Sequence, residues 1–491
     1  MVLEDIRENR LKKLEALLRA GIDVYPEKTK RTHQIKEAIA DFNKLAKAKK
    51  EIVLVGRIRA KRVHGGSAFL DFEDGTGRFQ ALFRKDKIGP KGYQFFLDYF
   101  DIGDFVEIRG TLFKTKQGEK TIEAGNFKML VKTLLPLPAK WHGLKDIEER
   151  YRRRYLDLIF NPEVKERVLI RAKMVKAIRD FLDNEGFIEV ETPILQPIYG
   201  GAKAKPFKTY HNALGLNLYL RIASELYLKR LLVGGIEKVY EIGRMFRNEG
   251  IDRFHNPEFT TLEFYWSYAD YKDLMRLCEK MFAKILKDIF GRSWLKIGEE
   301  KINFKSPWQR VDFCQLLRSE TGIIYDDLNK EALKKEAEKM GIEIEKGAAK
   351  PEIADKIFKK ACQEKLRQPT FVLHHPLGSQ PLAKASKNNP HRLANFQVIV
   401  AGVELVNAFS ELNDPLEQRR RFQEQEKMYQ EGFEEAQRRD EDFLEALEYG
   451  MPPAAGFGLG IDRLAALLTG SLNLRDVILF PLLRPQKKTR S

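Results

Sequence analysis

Residues 258–266 read EFTTLEFYW, and this alternation constrains the chain more than any other stretch. Successive side chains of an extended strand point to opposite faces, so Thr260, Leu262, Phe264 and Trp266 share one face while Phe259, Thr261, Glu263 and Tyr265 share the other. The first face is that of a core. The second sets an aromatic ring, a hydroxyl, a carboxylate and a phenol in line, and a buried carboxylate is costly unless something positive meets it. Just upstream, Arg244, Arg247, Glu249, Asp252, Arg253, His255 and Asn256 crowd a Gly-containing turn, and guanidinium groups suit forked binding of phosphate oxygens. The stretch therefore reads as a hairpin with one core face and one site face; a charged hairpin with a solvated tip is the competing reading.

A chain of 491 residues exceeds one ordinary core and predicts two or three domains. The formal net charge of +16 favours a polyanionic partner, either nucleic acid or an anionic membrane surface. No apolar run approaches the length of a membrane span, and Glu4, Asp5 and Glu8 stand where a signal sequence would be basic and apolar, so nucleic acid leads and no membrane association is expected. The three cysteines, Cys278, Cys314 and Cys362, lie far apart without a C-x-x-C pair, which indicates neither a disulfide framework nor a zinc site and points to a cytoplasmic location.

Along the chain, residues 1–48 read as a charged helical extension with an apolar stripe at Ile6, Leu11, Leu14, Leu17 and Leu18. Residues 49–135 change to short alternating segments separated by Gly65-Gly66, Asp74-Gly75 and Gln117-Gly118, the pattern of a small antiparallel barrel or sandwich. Arg57, Arg59, Lys61 and Arg62 followed by Phe69 and Phe72 pair charge with rings as single-strand nucleic-acid binders do; core phenylalanines beside a solvated basic edge fit the same pattern. Pro136, Pro138 and Gly143 mark a linker over 136–150, ending in a dense basic patch at Arg150, Arg152, Arg153 and Arg154. Residues 151–491 form a further domain in which alternating and helical segments follow one another, predicting an α+β fold built on a largely antiparallel sheet. Lys, Glu and Ala at helical spacing between about 309 and 370 read as a helical insertion. Neither standard Gly-rich phosphate loop is present.

Three segments carry a resemblance. FIEVETP (Phe187 to Pro193), FRNEG with HNPEFTTLEFY (Phe246 to Tyr265) and GFGLGIDRL (Gly456 to Leu464) resemble, in order and spacing, the three signature motifs of class II aminoacyl-tRNA synthetases. HNALGLNLYLRIASELYLKRL (His211 to Leu231), ELVNAFSELNDP (Glu404 to Pro415), KWHGLKDIEERYRRRYLDL and the closing RDVILFP are similar to the bacterial-type lysyl-tRNA synthetase family within that class. The resemblance implies an N-terminal OB-fold that reads the anticodon, a class II antiparallel sheet flanked by helices, and a homodimer formed through the region of Pro193. It also implies ATP, L-lysine and tRNA(Lys) as substrates and partners, with Mg²⁺ accompanying ATP.

By the same resemblance, Arg247 would hold the ATP α-phosphate, Phe259 would stack on adenine, Glu249, His255 and Asn256 would contact the nucleotide, and Arg463 would face the γ-phosphate end. Gly201 and Glu225 would address the lysine α-amino group. Glu263, Tyr265, Asn407, Phe409 and Glu411 would surround the lysine side chain, with Glu411 meeting its ammonium. Lys61, Phe69, Gln80 and Glu119 match positions that meet the anticodon bases. Elementary chemistry agrees: carboxylate attack on a phosphorus ringed by negative oxygens needs cations and no protein base, which makes Arg247 and Arg463 the expected catalytic residues.

Glu404 has the opposite strand parity to Asn407, Phe409 and Glu411, so it should point elsewhere or follow a bend, and metal binding is its expected role. Glu411 is a further possible metal ligand. Gln397 stands where the family has a second metal-binding carboxylate, and His375 to His391 departs from the family wording. His211 and His375 read as structural, Cys278 and Cys362 as plain helix residues. Two rival functions remain at this point: lysylation of a translation factor protein, whose enzymes lack the barrel, and a catalytically inactive nucleic-acid-binding paralogue.

Overall fold

The structure, a computed structural model, describes residues 3–138, 146–433, 435–471 and 473–485. The chain divides into two compact units, Met1–Gly143 and Leu144–Ser491. Residues 139–145 of the expected linker, with Gly143 and all of KWHGLK, lie outside the described residues. Among the described residues no helix is long and apolar enough to cross a membrane.

In the first unit, helices Leu3–Arg19, Ile35–Ala40 and Phe42–Lys47 precede a closed barrel of β1 (Ile52–His64), β2 (Ser67–Glu73), β3 (Arg78–Arg84), β4 (Phe105–Lys114) and β5 (Lys120–Val131), ordered β1-β2-β3-β5-β4. All pairings are antiparallel except β3 with β5. Closure removes the open edges that a flat sheet of this kind would expose. Alternation sends Ala68, Leu70 and Phe72 of β2 into a fully buried core while Phe69 and Asp71 face out. A helix, Lys85–Tyr99, packs its Phe96 against Phe83 with stacked rings 4.0 Å apart.

The second unit is built on an eight-stranded sheet. Its strands are β6 (Ile188–Glu189), β10 (Lys238–Phe246), β11 (Glu258–Ser267), β14 (Gln309–Asp312), β15 (Thr370–Leu373), β16 (Asn395–Val400), β17 (Val403–Ser410) and β18 (Ala454–Gly460), and they lie in the order β14-β15-β16-β17-β18-β11-β10-β6. Only the two outermost pairs are parallel. The intervening strands β7 (Leu195–Gln196), β8 (Lys208–His211) and β9 (Leu216–Leu220) make a small sheet of their own, and β12 (Trp294–Ile297) and β13 (Glu300–Asn303) a hairpin.

One face of the large sheet is the main core. Leu262 and Phe264 of β11, Phe457 and Leu459 of β18 and Val406 of β17 are buried there beneath helices Pro162–Asn184 and Tyr271–Phe290. Cys278 is buried on the second of these helices and Cys362 caps another, as plain structural residues. The helical insertion is narrower than the composition suggests. Residues 309–312 and 370–373 are sheet strands, and the helices between them, Phe313–Thr321, Lys330–Lys339 and Lys350–Ala361, share a core with Val372 and Ile399 of the sheet. The basic patch at 150–154 is paired: Arg154 and Arg150 bind Asp157 at 2.6 and 2.7 Å, and the exposed Arg153 binds Glu149 at 3.1 Å.

Candidate active site

The other face of β10, β11, β17 and β18 carries a cavity of about 360 Å³, within the span of small-molecule sites at ~300–1,000 Å³. The sequence makes this space by omission. Gly456, Gly458 and Gly460 of β18 stand opposite Tyr265, Glu263 and Thr261 respectively, so the central strand offers backbone where its neighbours offer side chains. A Cβ placed on Gly456 would lie 2.0 Å from Glu411 Oε1 and 2.5 Å from the Tyr265 ring, whereas at Gly458 its nearest neighbour would be the Asn407 carbonyl at 3.6 Å. Phe259, Thr261, Glu263 and Tyr265 all line the cavity, as the alternation requires.

At one end sits Arg247. Its backbone N–H donates to Pro257 O at 2.8 Å, its guanidinium lies 5.0 Å from the centre of the Phe259 ring, and its Nε is buried without a partner. Burial pushes its pKa down, partly offset by Glu249. A buried cation with an unmade hydrogen bond calls for an anionic ligand, because an unsatisfied buried donor carries its full desolvation cost. Glu249, His255 and Asn256 line the same end. His255 is tied to Asp252, Nδ1 to Oδ2 at 2.9 Å, and Asn256 donates to Glu258 O at 2.6 Å, leaving its own Oδ1 buried without a partner. Arg463, on the helix Ile461–Leu468 that follows β18, donates to Glu404 O at 3.0 Å and completes this end. Arg171 and Asp462 form an ion pair that anchors the start of that helix, and Asp462 also accepts from Thr260 N at 2.9 Å.

At the other end, Glu263 accepts from Ser224 Oγ at 2.9 Å and Ser224 N at 3.2 Å. Burial, with Glu225 adding to it, raises its carboxyl to about 7. Glu225 opens the helix Glu225–Val233. Gly201 passes so close that a Cβ there would lie 3.0 Å from the Glu225 Cβ, and its φ of +84° suits glycine. Asn407 accepts from Gln380 Nε2 at 2.8 Å, and Phe409 is buried beside Tyr265.

Comparison with known proteins settles the family. A family model described as tRNA synthetases class II (D, K and N) matches residues 146–484. The chain belongs to that family. A model described as OB-fold nucleic acid binding domain matches residues 52–130 of the same class II synthetase chain. A lysine–tRNA ligase of Moorella thermoacetica is 49% identical over 485 residues, 99% of each chain, and one of Carboxydothermus hydrogenoformans is 47% identical over 488 residues, 99% of each chain.

Against this class II background, several expected residues stand elsewhere. Glu411 lies beside the cavity and is not among the residues that line it. Its Oε2 pairs with the Lys229 ammonium at 2.5 Å, while its Oε1, buried without a hydrogen-bond partner, fills the space that a Cβ on Gly456 would take beside the Tyr265 ring. Sequence reasoning misses Lys229, whose one signal is that it stands four residues after Glu225 in a helical segment, the spacing of a helix-face ion pair; the two meet at 2.5 Å.

Glu404 does follow a bend. A bulge at Leu405 sets Glu404 opposite Ile399 and Val406 opposite Val398, which returns Glu404 to the cavity side. Gln397 stands opposite Asn407 on that side, but its Oε1 faces His375 Nε2 at 3.1 Å. Asn395 Nδ2 meets His375 Nδ1 at 2.9 Å, so His375 accepts there and donates to Gln397, a buried neutral imidazole whose pKa burial lowers. His375 is structural as expected; His211 is exposed, and its Nδ1 accepts from Leu214 N at 3.2 Å.

In the barrel, a bulge at Arg59 reverses the parity of β1 beyond Ile58. Lys61 therefore pairs with the inward Leu70, and its ammonium donates to Leu97 O at 2.9 Å and Phe100 O at 2.8 Å. It is not brought together with Phe69 and Gln80, which face outward; Arg62, opposite Phe69, takes that place and is held by Asp71 at 2.7 Å. Gln80 accepts from Thr121 Oγ1 at 2.8 Å, and Glu119 is exposed in the β4–β5 turn.

Proposed function

We propose that the chain condenses L-lysine with ATP to lysyl-adenylate and pyrophosphate, then transfers the lysyl group to a ribose hydroxyl of the 3′-terminal adenosine of tRNA(Lys), in the cytoplasm. The observation that carries this reading is one hairpin face with Arg247 over Phe259 at one end and Glu263 with Tyr265 at the other, all lining one cavity. Two near-full-length relatives named lysine–tRNA ligase support it.

In this reading a lysine carboxylate oxygen attacks the α-phosphorus and the bond from that phosphorus to the bridging oxygen of pyrophosphate breaks. Arg247 and Arg463 neutralise the charge that builds on the phosphates, while Phe259 stacks on adenine and Glu249, His255 and Asn256 hold the nucleotide. Gly201 and Glu225 take the α-amino group; Glu263, Tyr265, Asn407 and Phe409 take the side chain. The ribose hydroxyl then attacks the lysyl carbonyl, AMP leaves with the bonding pair, and the hydroxyl proton is lost.

The protein's own donors do not fit a resident metal: Gln397, bound to His375, stands where a second carboxylate would join Glu404, and among the described residues no group of three His, Cys, Asp or Glu side chains could hold an ion. Magnesium enters as part of the Mg·ATP substrate. Exposed Ile188, Ile194, Leu195 and Ile198 around Pro193 support a homodimer through that region, and Phe69, Gln80 and Glu119, with Arg62 in place of Lys61, support an anticodon surface on the barrel.

Lysine-dependent ATP–pyrophosphate exchange followed by charging of tRNA(Lys) tests the reading. No exchange with any amino acid would reject it, and exchange without tRNA charging would favour a protein acceptor.

A further inference from the structure

The Lys229 ammonium is surrounded. Glu225 Oε1 and Glu411 Oε2 each lie 2.5 Å away, its side chain is wholly buried, and the rings of Phe409, Phe443 and Tyr265 stand 5.6, 5.9 and 6.0 Å from it. Glu225 and Glu263 line the cavity, and Glu411 Oε1 lies beside it, in the space that a Cβ on Gly456 would take. Three carboxylates and one ammonium thus crowd the amino-acid end, and when all are ionised two negative charges remain. Arg221 and Glu241, also buried nearby, cancel each other at 2.5 Å, and Arg247 belongs to the far end of the cavity.

We infer that Lys229 is a specificity-setting positioning residue: its ammonium, bound to Glu225 and Glu411 at the amino-acid end of the cavity, holds the two in place and cancels one of three buried carboxylates, leaving the two negative charges that a substrate with two ammonium groups neutralises. This rests on the lysine-activating reading above and deepens it. A cage without Lys229 carries one negative charge too many for a diamino acid; a cage without Glu411 carries one too few. Burial raises the carboxyls of Glu225, Glu263 and Glu411 alike, so the empty cage holds on to protons that the incoming diammonium replaces. Burial also opposes the Lys229 charge, but the two carboxylates outweigh it and hold the ammonium above the ordinary lysine range.

Lys229→Met, Glu411→Gln and the double variant, assayed by ATP–pyrophosphate exchange, decide the matter. Each single change should raise the lysine KM about tenfold or more with the ATP KM within about threefold. The double variant restores the two unpaired charges, so its lysine KM should fall below that of either single variant. A double variant as impaired as Glu411→Gln, or lysine and ATP KM rising together, would overturn the inference and leave Lys229 a purely structural part. Should Lys229→Met fail to fold, the comparison of the double variant with Glu411→Gln alone decides. Absence of lysine-dependent exchange in the unaltered protein overturns the parent reading and this inference with it; exchange there combined with additive variants overturns this one alone.

Discussion

Glu263 stands directly opposite Gly458 across the β11–β18 pair, so a buried carboxylate looks over bare backbone. The missing side chain is the space into which a substrate reaches. Because a Cβ at Gly458 would meet nothing nearer than the Asn407 carbonyl at 3.6 Å, the fold tolerates a methyl there and the cavity does not. Gly458→Ala should lower kcat/KM for lysine about tenfold or more while leaving the melting temperature within about 2 °C, read by exchange kinetics and calorimetry side by side. A matching loss of stability would show that the glycine serves packing.

The Glu263 carboxyl titrates at about 7, raised by burial and then by Glu225. Its ionised form is the one that attracts an ammonium, so the lysine KM should fall as pH rises from 6 towards 7 and level off above it. Glu263→Gln should flatten that profile. For stability the sign is opposite: the folded state holds this proton above its ordinary value of 4.5, so the group's favourable contribution is fully present below pH 4.5 and is lost as pH rises through about 7. Lysine should consequently raise the melting temperature more at pH 8 than at pH 6.

Arg247 presents a buried, unpartnered Nε beside the Phe259 ring. Its removal should act on the chemical step. We expect Arg247→Ala to reduce kcat of exchange by ~10²–10³, the cost of deleting one preorganised donor to a developing charge. Arg247→Lys should recover little, because a point ammonium cannot reproduce the planar fork. Full recovery by lysine would mean that charge alone matters there.

Asp157 is fully buried between Arg154 at 2.6 Å and Arg150 at 2.7 Å. Asp157→Ala leaves the buried Arg154 guanidinium uncompensated, which should cost about 3–5 kcal/mol. Urea unfolding should show the transition of the second unit shifted and that of the barrel unmoved, since each unit has its own core. Coincident shifts would show that the two unfold as one.

Much of this is legible in the sequence. The alternation over 258–266 gives both faces of β11 as the structure has them, whereas the room that the glycines of GFGLG leave to the neighbouring strands shows only in the structure. What escaped reading were bulges. One extra residue at Leu405 brings Glu404 back to the cavity, and one at Arg59 turns Lys61 inward; neither leaves a mark in hydrophobic patterning, because a bulge is decided by the partner strand. Lys229 escaped for a different reason. Its spacing from Glu225 was visible, but its second partner Glu411 is brought to it only by the folding of the whole sheet. The insertion's edges were missed because Gln309–Asp312 and Thr370–Leu373 are short strands whose partners, not their composition, define them.

The strand Ala454–Gly460 alternates glycine on the cavity side with Phe457 and Leu459 on the core side. It is therefore closed to gradual change in both directions: a larger residue at Gly456 runs into Glu411 and Tyr265, and a smaller one at Phe457 opens a void in the main core. A family of enzymes built on this sheet can diversify the amino acid it selects only by rewriting the flanking strands and the start of helix Glu225–Val233. The central strand is the fixed frame around which such divergence must work.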